Sequence, residues 1–304
     1  YWTMRWVLLV SRKEMGIWNL INIVVTSKPV DGLLHYSYEY FCMLNDAGID
    51  AQVIIITREN DKPQHYLDSP QKKYRYVKNV EINDYWPEEG DVTMILGRSM
   101  LSIPYRERHL YDEDRRLLTH LLFSGKLISV YSTNDNDSYG RALEHFKTQE
   151  TYDLCDTDVY PDGVGKHFEK TINFSMYKDP INDVQFNHLF LGTNREYYSE
   201  LLDVVPNYPD HGILSYDEDY INRDWNNIFC PVDNVLGIFE TYVYNKRTFD
   251  PAPRLFMECK YYNKDIIYLR NFDGIDGGSV YWNRDPQTPD IQPIIEAYNG
   301  LSNC

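Results

Sequence analysis

Short apolar runs recur along the chain, separated by loops rich in glycine, asparagine and aspartate. Leu20-Ile21-Asn22-Ile23-Val24-Val25-Thr26 reads as the buried first strand of a parallel sheet. The loop 27–32 follows and ends in Asp31-Gly32. Leu33, Leu34, Tyr36, Tyr40, Phe41 and Leu44 then fall at helical spacing, and Asn45, Asp46 and Gly48 end that helix. The run 51–57 is a second strand. Strand, glycine loop, helix, strand is half of a doubly wound α/β domain. Further strands are expected near 74–80, at 91–97 and at 127–131, and helices at 111–123 and 139–146. Residues 150–180 are irregular and polar, with 170–174 as the last strand of this half. The rhythm restarts with a strand at 188–192, a helix at 196–204, a strand at 212–216 and a strand at 239–244. A strand at 266–269 and a short helix at 292–298 complete the chain.

Between the last two strands lies Asp250-Pro251-Ala252-Pro253-Arg254-Leu255-Phe256-Met257-Glu258. The prolines introduce a helix, because the N–H that proline lacks would be unsatisfied in the first turn anyway. Asp250 then sits in the loop and Glu258 on the helix. The pair places two acceptors and a helix N-terminus beside one crevice. A plain βαβ unit with solvated acids is the alternative. The loop 132–138 is a second candidate, because chemistry in open α/β sheets gathers outside the carboxyl ends of the strands.

Composition narrows the class. The chain has 304 residues, 43% hydrophobic and 15% aromatic, enough for two domains with real cores. A boundary is expected near Lys178-Asp179-Pro180, giving domains 1–180 and 181–304; residues 1–15 can be read as an extension ahead of Met15. The formal charge of −16 works against nonspecific binding to nucleic acid or anionic membrane, but allows a local basic cleft. Five scattered cysteines without a Cys-x-x-Cys pair fit a reducing compartment, hence a cytoplasmic protein. There is no run of about 18 apolar residues, so no membrane span is expected. The P-loop, His-Glu-x-x-His and Gly-x-Ser-x-Gly patterns are absent. Asp135-Asn136-Asp137 reads as the Asp-x-Asp of metal-dependent transferases, but two nucleotide-type halves argue against that use, and no metal is expected.

Two doubly wound halves, each opening on a strand and a glycine loop, resemble the GT-B architecture of nucleotide-sugar glycosyltransferases. Retaining members carry Glu, seven residues, Glu, then a small turn residue and an apolar strand; here Asp250, Glu258 and Asn263 stand in those positions. The loop 131–138 further resembles that of bacteriophage DNA α-glucosyltransferases. The resemblance implies two Rossmann-like domains facing a central cleft. The first would be the acceptor side and the second the donor side, in an arrangement where the last helix can pack back on the first domain. It implies a hexosyl- or pentosyltransferase with a nucleotide sugar, UDP-sugar above all, as co-substrate and no required cofactor. The acceptor would be a hydroxyl, on a hydroxymethylated base of phage DNA or on a surface glycan. A non-catalytic two-lobed nucleotide- or sugar-binding protein is the competing class.

The same resemblance distributes the roles. Glu258 would take the ribose hydroxyls, since an ionised carboxylate offers only acceptors. Asp250, Ala252, Pro253 and Arg254 would face the donor sugar and diphosphate, the helix start offering free N–H groups. Gly32 would let a loop approach the phosphates closely. Gly192, Asn194 and Arg195 would form the loop after the first strand of the donor domain. Relatives commonly place a Lys five residues beyond that Arg, but Glu200 stands there, so Lys246, Arg247 or Arg254 would have to compensate. Asp135 is the candidate catalytic carboxylate beside the acceptor hydroxyl, with Asp137 second. A helix cap is the competing role for both, and His35 reads as structural.

Overall fold

The computed structural model describes residues 20–26, 32–57, 77–81, 90–96, 126–131, 150–155, 165–169, 172–177, 179, 182–192, 201–214, 225–228, 235–245, 254–269, 286 and 290–302. The chain forms two compact units, one of residues 1–170 with 290–304, the other of residues 171–289.

The first unit holds a parallel sheet of seven strands: β1 (Ile21–Thr26), β2 (Ala51–Thr57), β3 (Val77–Glu81), β4 (Val92–Leu96), β5 (Lys126–Tyr131), β6 (Glu150–Cys155) and β7 (Lys166–His167). Their order is β3-β2-β1-β4-β5-β6-β7, and every pairing is parallel. The order reverses between β1 and β4, the signature of a doubly wound sheet. Helix α1 (Gly32–Asp46) crosses from β1 to β2. It buries Tyr36, Tyr40, Phe41 and Leu44 and ends at Gly48, whose φ of 80° suits glycine. Burial on both faces explains the near-continuous apolar strands, with β4 buried throughout.

At the start of the strands the sheet carries buried polar groups. Asn22 donates to Asp91 at 3.0 Å and accepts from Gln52 at 2.5 Å. Asn22 lies level with Gln52 on one side and Thr93 on the other. This cross-strand ladder favours one register, because a one-residue slip would bury these groups unpaired.

The second unit holds a five-stranded parallel sheet: β8 (Phe186–Leu191), β9 (His211–Leu214), β10 (Asn227–Ile228), β11 (Phe239–Tyr244) and β12 (Asp265–Tyr268). Their order is β10-β9-β8-β11-β12. It reverses between β8 and β11, as the first sheet does between β1 and β4. Alternate residues feed two cores. Leu189, Leu214, Tyr242 and Tyr244 pack on one side with Leu255 and Cys259. Phe190, Ile213 and Val243 pack on the other with Leu201 and Val205.

Helix α2 (Arg254–Tyr261) makes the crossover from β11 to β12. Its end is a Schellman motif: Lys264 N–H bonds to the Cys259 carbonyl and Asn263 N–H to that of Lys260. Asn263 takes φ 53°, the left-handed conformation that asparagine tolerates and β-branched residues do not. Asn263→Val is therefore expected to cost about 1–2 kcal/mol, and Asn263→Gly to be neutral or stabilising. The urea midpoint of the second unit checks this.

Helix α3 (Gln292–Ser302) belongs to the first unit, where it packs on β4, β5 and β6. It buries Ile294, Ala297 and Leu301, one face at helical spacing.

Two expectations need correction. Residues 150–155 are not irregular: they form β6, paired in register with β5. Residues 172–174 are not a strand: Asn173 caps a short 3₁₀ turn, Phe174–Met176, by accepting from the Ser175 N–H. The division between units also falls ahead of the boundary expected near residue 180. The segment after 170 packs within the second unit, where Phe174 stacks on Tyr261 with ring centroids 4.2 Å apart.

Candidate functional site

The second unit's sheet has its switch point between β8 and β11, and the residues leaving the carboxyl ends of those strands are Gly192 and Asn245. Ligands of open α/β sheets sit in the crevice at such a point. Gly192 is buried and its N–H bonds to the Leu214 carbonyl at 2.9 Å, tying the end of β8 to β9. Asn245 is buried too, and among the described residues no group accepts from its side-chain amide.

From Asn245 the chain passes through 246–253 and enters α2 at Arg254. Four residues on stands Glu258, only 2% exposed. A carboxylate so deeply buried needs compensation, and the i,i+4 geometry of the helix supplies it. Arg254 Nε donates to Glu258 Oε1 at 2.8 Å. Tyr177, from the segment that opens this unit, donates its hydroxyl to the same oxygen at 2.5 Å. The Arg254 guanidinium also donates to the Tyr177 oxygen, closing a triangle. Tyr177 is held by aromatic contacts with Phe174, Tyr261 and Tyr262. Beside Glu258, burial pushes the Cys259 thiol well up, and the Glu258 charge adds to the effect. Cys259 is thus a packed, unreactive thiol.

Of the residues singled out in the sequence, the structure joins Arg254 and Glu258 directly. It engages the Arg254 side chain with Glu258 and Tyr177. Gly192 stands at the end of β8 as expected, and Gly32 is the first residue of α1 in the first unit. Asp135, Asp137, Asn194, Arg195, Asp250, Ala252 and Pro253 lie outside the described residues, as do Lys246 and Arg247. Sequence reasoning missed Tyr177 and Asn245. The Arg254–Glu258 spacing was a visible signal for the ion pair, whereas Tyr177 lies 81 positions from its partner. Among the described residues no cluster of His, Cys, Asp and Glu could hold a metal. No described helix is long and apolar enough to cross a membrane.

No family model matches the sequence, and no curated protein matches it either. Solved structures do match the fold. An alpha-glucosyltransferase in complex with UDP and a 13-mer DNA containing an HMU base aligns with TM-score 0.53 and 11% identity, over 94% of this chain and 90% of its own. An alpha-glucosyltransferase in complex with UDP aligns with TM-score 0.52 and 10% identity, over the same shares. The chain thus has the fold of these glycosyltransferases, the GT-B arrangement of two doubly wound α/β domains.

Proposed function

We propose that this protein is a glycosyltransferase that moves a hexosyl or pentosyl group from a nucleoside-diphosphate sugar, UDP-sugar first, to an acceptor hydroxyl. The observation that carries this reading is Glu258: a buried carboxylate in the crossover helix that follows the switch-point strand β11. The Tyr177 hydroxyl makes on it the kind of bond that a ribose hydroxyl would make. In this reading the donor's cis diol is held by Glu258, and Arg254 orients the carboxylate. Asp250, with the backbone of Ala252 and Pro253, lies along the donor sugar and diphosphate.

The departing diphosphate needs positive charge or N–H donors. With the Arg254 side chain engaged by Glu258, that task falls to Arg195 with Asn194 and Gly192, and to Lys246 or Arg247. Gly32 is a further donor-binding residue in this reading, since a glycine lets backbone approach a phosphate closely. Asp135 takes the proton of the acceptor hydroxyl or steadies the positive charge on the sugar. The reaction is retaining and calls for no metal.

For the acceptor we favour a hydroxymethylated base in DNA, which implies a phage-encoded, DNA-modifying enzyme working in the host cytoplasm. Support comes from the structural neighbour in complex with UDP and HMU-containing DNA. The decisive experiment screens nucleotide sugars for thermal stabilisation and slow hydrolysis, then offers the active donor hydroxymethylated DNA, plain DNA and glycans. One nucleotide sugar should raise Tm and be transferred to the modified DNA. Transfer to glycan alone would replace the acceptor assignment. If no nucleotide sugar is hydrolysed and none stabilises the protein, the transferase reading fails.

A further inference from the structure

We infer that Asn245 is a phosphate-binding residue of the donor site, its side-chain amide donating to the donor diphosphate; this rests on the transferase reading above. Asn245 directly follows β11, the strand that borders the switch point. It is 4% exposed, and its buried amide nitrogen has no acceptor among the described residues. Buried amides are almost always satisfied, and one left unpaired opposes folding. Such a group survives in a native fold where a ligand supplies what the protein does not.

Position separates this residue from other unpaired groups. In the same unit, His211 also has a buried ring nitrogen without a partner among the described residues. But His211 opens β9 at the amino end of the sheet, away from the edge where ligands bind. Asn245 stands at the carboxyl edge, next to the strand end marked by Gly192.

Chemistry selects the diphosphate. The unmatched atom is a donor, and the phosphate oxygens of a nucleotide sugar are acceptors only. A neutral amide can meet an anion here without a counter-charge, which suits a chain with 46 acidic residues against 30 basic ones. The ribose hydroxyls have a better partner in Glu258, an acceptor that needs donors.

Asn245→Leu tests the assignment, because leucine has nearly the same size and removes the unpaired amide. The variant should be at least as heat-stable as the wild type without ligand. Its affinity for UDP should fall about 10- to 100-fold, the share of one hydrogen bond to a charged group. Its affinity for uridine, which has no phosphate, should not change. Equal losses for UDP and uridine, or no loss for either, would overturn the assignment alone. If the wild-type protein binds another nucleoside diphosphate in place of UDP, the same comparison is made with that nucleotide and its nucleoside; binding of none would overturn the functional reading and this assignment with it. If Asn245→Leu does not fold, Asn245→Ser gives the same comparison with a shorter side chain that cannot reach as far.

Discussion

Glu258→Ala is expected to abolish measurable donor binding and to destabilise the second unit by about 3 kcal/mol, the low end for breaking a buried ion pair. The low end applies because the Arg254 side chain keeps 13% of its surface exposed and can recover some hydration. The stability loss follows from the triangle. Without the carboxylate, Arg254 Nε and the Tyr177 hydroxyl both lose their acceptor. The binding loss follows from the proposed ribose contact, whose two hydroxyls would then donate to nothing. Glu258→Gln separates the two effects. It keeps the shape and one acceptor oxygen, so the fold should suffer less while the charge-assisted bonds to the diol are weakened. Urea denaturation reads the first quantity and calorimetric titration with the nucleotide sugar the second. Wild-type affinity in Glu258→Ala would remove Glu258 from the donor site.

Asp135→Ala is expected to do the reverse. Turnover at saturating donor should fall about 10²- to 10⁴-fold, the usual weight of a positioned acid or base, with UDP affinity unchanged. Asp137→Ala should lose far less if that residue serves as a helix cap, about 1 kcal/mol of stability. Single-turnover rates paired with UDP binding make the distinction. Equal binding losses in Glu258→Ala and Asp135→Ala would count against both roles, since one is placed on the donor and the other on the acceptor.

The sequence was legible where a residue's neighbours lie close along the chain. β1, β2 and β4 announce themselves as apolar runs because both faces of a parallel strand are buried. Asn263 was readable as a turn because asparagine is among the few side chains that accept a left-handed backbone. Helix α2 is legible for the same reason: prolines mark its start, and the i,i+4 spacing of Arg254 and Glu258 carries its ion pair.

What failed did so for equally physical reasons. β6 carries Thr151, Tyr152 and Asp153, and Tyr152 is 41% exposed, so the strand lacks an apolar run. Its place in the sheet comes from pairing with β5 and β7, which composition does not encode. Ile172-Asn173-Phe174 reads as a strand, but the Asn173 side chain competes for the backbone and turns it. Tyr177 falls in the stretch 150–180 that reads as irregular and polar. Its role depends on a fold that brings positions 177 and 258 together, and no local pattern signals that.

The assignment of α3 to the first unit has a consequence for how the protein is made. The second unit, 171–289, is an insertion within the first. A ribosome delivers the strands of the first sheet before the second unit, yet the helix that covers β4, β5 and β6 emerges only after that unit. The inserted unit can close its own core while the first sheet still shows apolar surface. Of the two units, the first therefore depends longer on protection from aggregation, although its strands are made before the second unit.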